Sequence, residues 1–105
     1  MMPTFNRRGS SFEVDFAAGV GVDLVDVVVD LDENAEILGI EILGLLETHP
    51  GVLHSVGEGV SVDRDADAIY VRVKAGRSLD QVVTIAAIAF DSSDRLAAIR
   101  VSLED

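Results

Sequence analysis

Apolar and polar residues alternate with a period of two through most of the chain, the pattern of half-buried β-strands. Phe12, Val14 and Phe16 alternate with Glu13 and Asp15. Val25, Val27, Val29 and Leu31 point one way, and Asp26, Asp30 and Asp32 the other, with Val28 among them. After the polar turn Glu33-Asn34-Ala35-Glu36, the residues Leu38, Ile40 and Ile42 predict the inward row of a second strand, with Glu41 outside. Two strands and a short polar turn make a hairpin.

The middle of the chain breaks this rhythm. Thr48-His49-Pro50 is a capping-type residue followed shortly by proline, which suits a turn or a single helical turn, and Gly57 and Gly59 end it. Residues 47–60 therefore form a connector between two halves. Beyond it, Ile69, Val71 and Val73 alternate with Tyr70, Arg72 and Lys74, and Ala75-Gly76-Arg77-Ser78 turns the chain. Val82 to Phe90 is apolar at both alternating sets of positions, which predicts a central strand covered on both faces. Asp91-Ser92-Ser93-Asp94 is a turn, and Ala97, Ile99, Val101 and Leu103 predict the last inward row. The expected fold is a single all-β domain over residues 1–105, built as two antiparallel sheets or one barrel-like sheet of about seven strands.

Sliding the chain by 59 residues superimposes its halves without a gap. Val29-Asp30-Leu31-Asp32 falls on Ile88-Ala89-Phe90-Asp91, and Ile37 to Ile42 falls on Leu96 to Val101. Upstream, Phe12-Glu13-Val14 falls on Val71-Arg72-Val73. Two β-hairpins of any origin share alternation, but agreement through three strands and their turns predicts a duplication. Its repeats run over roughly 5–46 and 61–105 and pack with pseudo-two-fold symmetry.

The stretch Asp63-Arg64-Asp65-Ala66-Asp67-Ala68-Ile69-Tyr70-Val71-Arg72-Val73 resembles the opening of a small prokaryotic family, domain-of-unknown-function family 2283. That opening has the form D-x-x-x-D-A-x-Y-(I/V)-x-(L/V). The family's closing acidic turn and G-I-E-I-L strand resemble Asp30-Leu31-Asp32-Glu33-Asn34 through Gly39-Ile40-Glu41-Ile42-Leu43. The order is inverted here, with the ending in the first half. The resemblance thus implies two degenerate tandem copies. The first has Asn6 to Ser11 in place of the opening, and the second has Ala98-Ile99-Arg100-Val101 in place of the ending. It implies a β architecture and small accessory proteins, some in toxin–antitoxin-like settings, and it brings no catalytic residues with it.

Charge narrows the partners. Nineteen acidic and eight basic side chains give a formal net charge of −11, with no basic stripe beyond Arg7-Arg8. That sign disfavours nucleic acid and anionic membrane, and aromatics at 5% are too sparse for a base-stacking platform. The absence of cysteine excludes disulfides, thiolate metal sites and cysteine nucleophiles. No apolar run approaches a membrane span, and the first residues lack the apolar core of a secretory signal. A cytoplasmic protein is expected. The acidity also suits solubility in a salty cytoplasm.

Candidate chemistry is thin. Asp30, Asp32, Asn34 and Glu41 stand at positions one, three, five and twelve of an EF-hand-type calcium loop, but Ala35 replaces the glycine of position six and the flanks are strands. Asp63, Asp65 and Asp67 echo the spacing, with Lys74 at the twelfth position. His49 and His54, the two histidines, lie in the connector without a third ligand nearby in sequence. The serines lack a nucleophile-elbow setting, and the Gly19-Val20-Gly21 turn opens no helix that could hold a phosphate. Catalytic residues and cofactors are therefore not expected.

The expected function is a non-enzymatic protein-binding module, antitoxin-like or immunity-like, with a basic protein partner. Asp26, Asp30, Asp32, Asp63, Asp65, Asp67 and Tyr70 are the candidate contacts. The alternatives are a self-assembling accessory protein and a calcium-dependent module using the Asp30–Glu41 turn. A homo-oligomer, most simply a dimer, is expected because Leu43, Leu45 and Leu46 extend the apolar row past the hairpin. Such a row either caps the core or forms a patch for a second copy.

Overall fold

The computed structural model describes residues 3–55, 57 and 59–103; Val56 and Glu58 of the connector lie outside them, as do both termini. Eight strands follow in chain order: β1 (Thr4–Arg8), β2 (Ser11–Asp15), β3 (Gly21–Leu31), β4 (Ile37–Leu43), β5 (Val60–Asp63), β6 (Ala68–Arg72), β7 (Asp80–Phe90) and β8 (Leu96–Ser102). A short 3-10 helix, Pro50–Ser55, occupies the connector, where proline fixes the backbone for one turn. The strands form one curled antiparallel sheet in the order β1-β2-β8-β7-β3-β4-β6-β5. The fold is all-β as expected, but as one sheet curled into a half-barrel in place of two sheets, and with eight strands in place of about seven: β1 and β5 are additional and form the two edges.

The inner face of the curl is the core. Val27, Val29, Ile40, Ile42, Ile69, Val71, Ile88 and Ile99 are wholly or almost wholly buried there. The connector adds Leu45 and Val52, and Leu46 packs against the same cluster. Leu45 and Leu46 after β4 therefore cap the core, with Leu46 half-buried, while Leu43 at the end of β4 is 36% exposed.

Two inward rows differ from the alternation. A bulge lets Asp30 face Gly39 while Leu31 faces Ile37, so Leu38 is the extra residue and Ile37 joins the core cluster in its place. Likewise Ala89 faces Ala98 and Phe90 faces Leu96, so Leu96 turns inward where Ala97 was expected. A bulge of one residue flips every side chain on one side of it, and period-two patterning alone does not reveal where it falls. The carbonyls freed at the bulges are used: Leu38 O accepts from Val73 N and Lys74 N, and Ala97 O accepts from Phe16 N and Ala17 N.

The β3–β4 and β7–β8 hairpin turns are each held by an aspartate. Asp32 Oδ1 accepts from the amides of Asn34 and Glu36, at 2.8 and 3.0 Å, and Asp91 Oδ1 accepts from those of Ser93 and Arg95 at the same distances. Ala35 and Asp94 take the left-handed conformation that closes each turn, at φ 59° and 60°. Asp is favoured at such positions because its short carboxylate reaches amides two and four residues ahead.

β3 and β7 pair along their whole length, with Asp26 opposite Ile85 at the centre. Phe12 faces Val101, whereas Ile69 faces Ile42. In the register of the sheet Ile69, and not Val71, is the counterpart of Phe12, so the ungapped 59-residue offset does not extend to this strand. The link from β6 to β7 is longer than that from β2 to β3, and the extra residues shift the alignment by two.

Candidate functional site

β7 is central, as its apolar sequence predicts, but it is covered on one face only. Its outer positions pair with those of β3: Val22 with Ala89, Leu24 with Ala87, Asp26 with Ile85, Val28 with Val83. Opposed residues of an antiparallel pair project to the same side. The outer face thus carries a stripe in which Val22, Leu24, Val83 and Ile85 are 65, 73, 73 and 59% exposed. Four large aliphatics at this exposure on neighbouring strands make a contiguous apolar patch of the kind that marks an interaction surface.

Each end of the stripe has a hollow. At one end, a cavity of about 480 Å³ is bordered by Asp30, Tyr70, Arg72, Lys74 and Gly76. Tyr70 of β6 lies across β4 and donates to Asp30 Oδ2 on β3 at 3.2 Å, while Gln81 Nε2 donates to Asp30 Oδ1 at 2.8 Å. Gly39 makes this possible, since a Cβ there would collide with the phenolic oxygen. Burial, and then the neighbouring Asp30 carboxylate, push the Tyr70 phenol above its ordinary pKa, because both penalise a second negative charge. Lys74 closes this end by pairing with Asp32 at 3.2 Å and with Glu36, and these partners raise its pKa.

At the other end, a cavity of about 600 Å³ is floored by Ala87, Ala89 and Ala98, with Gly19, Asp15 and Arg100 at its rim. The same sheet positions carry different residues at the two ends. Asp15-Ala98-Ala89-Val22 runs across the strands at one end, and Arg72-Gly39-Asp30-Gln81 at the other. Where Tyr70 lies, the corresponding residue is Glu13, which pairs loosely with Arg100 at 3.6 Å.

The expected contacts are dispersed. Asp26 and Asp30 project from the outer face of β3, but Asp32 is folded back into its own turn, so the three do not share one strand face. Asp63 Oδ1 accepts from the amides of Asp65 and Ala66, and Asp67 Oδ1 accepts from Leu46 N at 2.8 Å. Asp63 thus holds the β5–β6 turn, and Asp67 ties that turn to the segment after β4. Among the described residues, no three His, Asp or Glu side chains are placed to hold a metal ion, so Asp30, Asp32 and Glu41 do not converge. Asn34 contributes its backbone amide to the turn. His49 stacks on Phe90, ring centroids 3.9 Å apart, with Nε2 2.6 Å from Asp23 Oδ2, while His54 is exposed.

Sequence reasoning singled out Tyr70 and Asp30 but not that they meet, nor the part played by Gly39 and Gln81. Val83 and Ile85 looked like interior residues because a strand with two apolar faces reads as buried, and Val22 and Leu24 were not singled out at all. Among the described residues no helix is long and apolar enough to cross a membrane. Comparisons with known protein families, curated proteins and solved structures find no match to this chain.

Proposed function

We propose that the protein is a non-enzymatic module that docks another protein chain on the outer face of β3 and β7. The observation that carries this reading is the exposed stripe of Val22, Leu24, Val83 and Ile85. Covering such a stripe is favourable by roughly 25 cal/mol per Å² of apolar surface removed from water. An affinity comparison using Leu24→Asp together with Val83→Asp tests it. Both side chains are exposed, so the variant folds. It is expected to lose a stoichiometric partner that the wild-type chain retains on purification from its native cells. Retention of every such partner by the variant would sink the reading.

We further propose that the chain is two copies of one four-stranded unit, β1–β4 and β5–β8, as the family resemblance implies. Support comes from the strand order, which reads the same when the copies are exchanged. The bulges, the left-handed turn residues and the aspartate turns also recur at positions 59 residues apart. A second reading, self-association, is favoured by the open edges of β1 and β5, which present unpaired backbone groups. Sedimentation velocity at micromolar concentration separates the two, since only self-association gives a species heavier than 11.2 kDa with the purified chain.

A further inference from the structure

Resting on the docking reading above, we infer that the partner is a basic amphipathic segment, anchored by one bulky apolar side chain in the alanine-floored hollow beside Gly19. Three features of the outer face lead there. The first is the asymmetry of its ends. At one end Tyr70 lies over Gly39 and reaches Asp30, so an aromatic ring already occupies that position. At the other, the matching residues are Glu13, Ala98 and Ala89, and the space of about 600 Å³ stays open. The Tyr, Gly and Asp are replaced together: without a ring to cross the strand, neither a bare glycine nor an acceptor for its hydroxyl is required. What is left is a small-residue floor continuous with Val22 and Leu24, shaped to take an apolar side chain from outside.

The second feature is the charge around the stripe. Asp15, Asp26 and Glu41 have no ion-pair or hydrogen-bond partner among the described residues of the face, against two similarly unpaired cations, Arg72 and, on the edge strand, Arg8. Asp26 stands at the middle of the stripe, opposite Ile85, so any segment that covers the aliphatics also covers a carboxylate. Covering a charge without a partner is costly. A lysine or arginine spaced between apolar contacts removes that cost. The third feature is the net charge of −11, which steers a cationic segment toward the protein and slows approach of a second copy. Face-to-face pairing of two copies would also set one Asp26 against another. The occupant that fits is therefore a heterologous, positively charged chain.

The probes are three synthetic peptides as long as β3, 11 residues, with the same aliphatic positions and Lys, Ser or Glu at the polar ones. Binding is read by calorimetry at low and at physiological salt. The Lys peptide is expected to bind, to weaken by about tenfold or more as salt rises, and to lose affinity similarly on Leu24→Asp or on Ala89→Leu, which fills the hollow. Asp65→Asn, on the distant β5–β6 turn, removes a charge and is expected to leave binding unchanged. Thermal melting confirms that each variant is folded. Equal binding of the Lys, Ser and Glu peptides, lost with Leu24→Asp, would overturn the basic partner and leave the docking face intact. Lys-peptide binding indifferent to Leu24→Asp and Ala89→Leu would overturn the anchored hollow, as binding would then follow bulk charge alone. A dimer of the purified chain that dissociates with Leu24→Asp would make a second copy the occupant. No binding by any peptide would overturn both.

Discussion

The hydroxyl of Tyr70 donates to the Asp30 carboxylate two strands away, at 3.2 Å, across the bare backbone of Gly39. The contact spans β6, β4 and β3, so it ties the first and second halves of the chain together on the outer face. It also couples three residues that would otherwise vary independently.

Gly39→Ala is expected to cost about 1–3 kcal/mol, because the new methyl displaces the ring and leaves the Tyr70–Asp30 hydrogen bond unmade. In a Tyr70→Glu background, which recreates the Glu13 and Ala98 arrangement of the other end, the same change should cost far less. A double-mutant cycle measured by urea unfolding gives the coupling. Additive effects would show that the ring does not rely on the bare glycine.

Tyr70 is the single tyrosine and there is no tryptophan, so tyrosinate absorbance reports this residue alone. Its phenol is raised by burial and by Asp30, so the folded state holds the proton more tightly than the unfolded chain. That contribution to stability is complete below the unfolded value, about 10, and is lost as pH rises through the higher folded value. Asp30→Asn should lower the midpoint of the alkaline titration. A midpoint equal to that of the urea-unfolded chain would contradict the contact.

Asp32 and Asp91 are both held below the ordinary carboxylate range, chiefly by the backbone amides of Glu36 and Arg95. A depressed folded value gives stability that is present above the unfolded pKa, about 3.9, and lost as pH falls through the folded one. Acid should therefore destabilise the protein from about pH 5 downward. Asp32→Asn with Asp91→Asn, which keeps the oxygen acceptors, should flatten this dependence in urea titrations taken across that range. An unchanged acid slope would remove these turns as its source.

Ala35 closes the β3–β4 turn with a left-handed backbone at φ 59°. Glycine adopts that conformation without a Cβ penalty, so Ala35→Gly should raise stability by about 0.5–1 kcal/mol after its greater unfolded-state entropy is allowed for. Thermal unfolding checks the sign, and a lower midpoint would mean the turn is not strained.

Every strand pairing between hairpins crosses from one half of the chain to the other: β2 with β8, β7 with β3, and β4 with β6. Residues 1–46 and 47–105, made separately, should each be unfolded or self-associated, and should regain native circular dichroism as a one-to-one complex on mixing. A folded monomer from either piece would show that one half can complete its own sheet.

Much of this protein was legible in the order of its residues. Period-two alternation located β2, β3, β4, β6 and β8, since a strand that buries one face must alternate, and an unbroken apolar run located β7. The turns after β3 and β7 were legible too, because turn geometry depends on residues within one short segment, although Asp32 was read as a strand residue and not as the one that holds its turn. β1 and β5 were missed: Thr4–Arg8 is exposed throughout and Val60–Asp63 is four residues long, so neither has a buried face long enough to show periodicity.

What only the tertiary structure decided is which surfaces are covered. The sequence makes Val83 and Ile85 as apolar as Ile88, yet the curl of the sheet buries one face of β7 and leaves the other to solvent. Leu38 and Ile37 are interchangeable to a pattern, and the bulge chooses between them through the register of a partner strand. Tyr70, Gly39 and Asp30 lie far apart along the chain and meet because β4 stands between β6 and β3. Alternation is a local property of one strand. Burial, register and cross-strand contact depend on which strands become neighbours, and that is set by the packing of the whole chain.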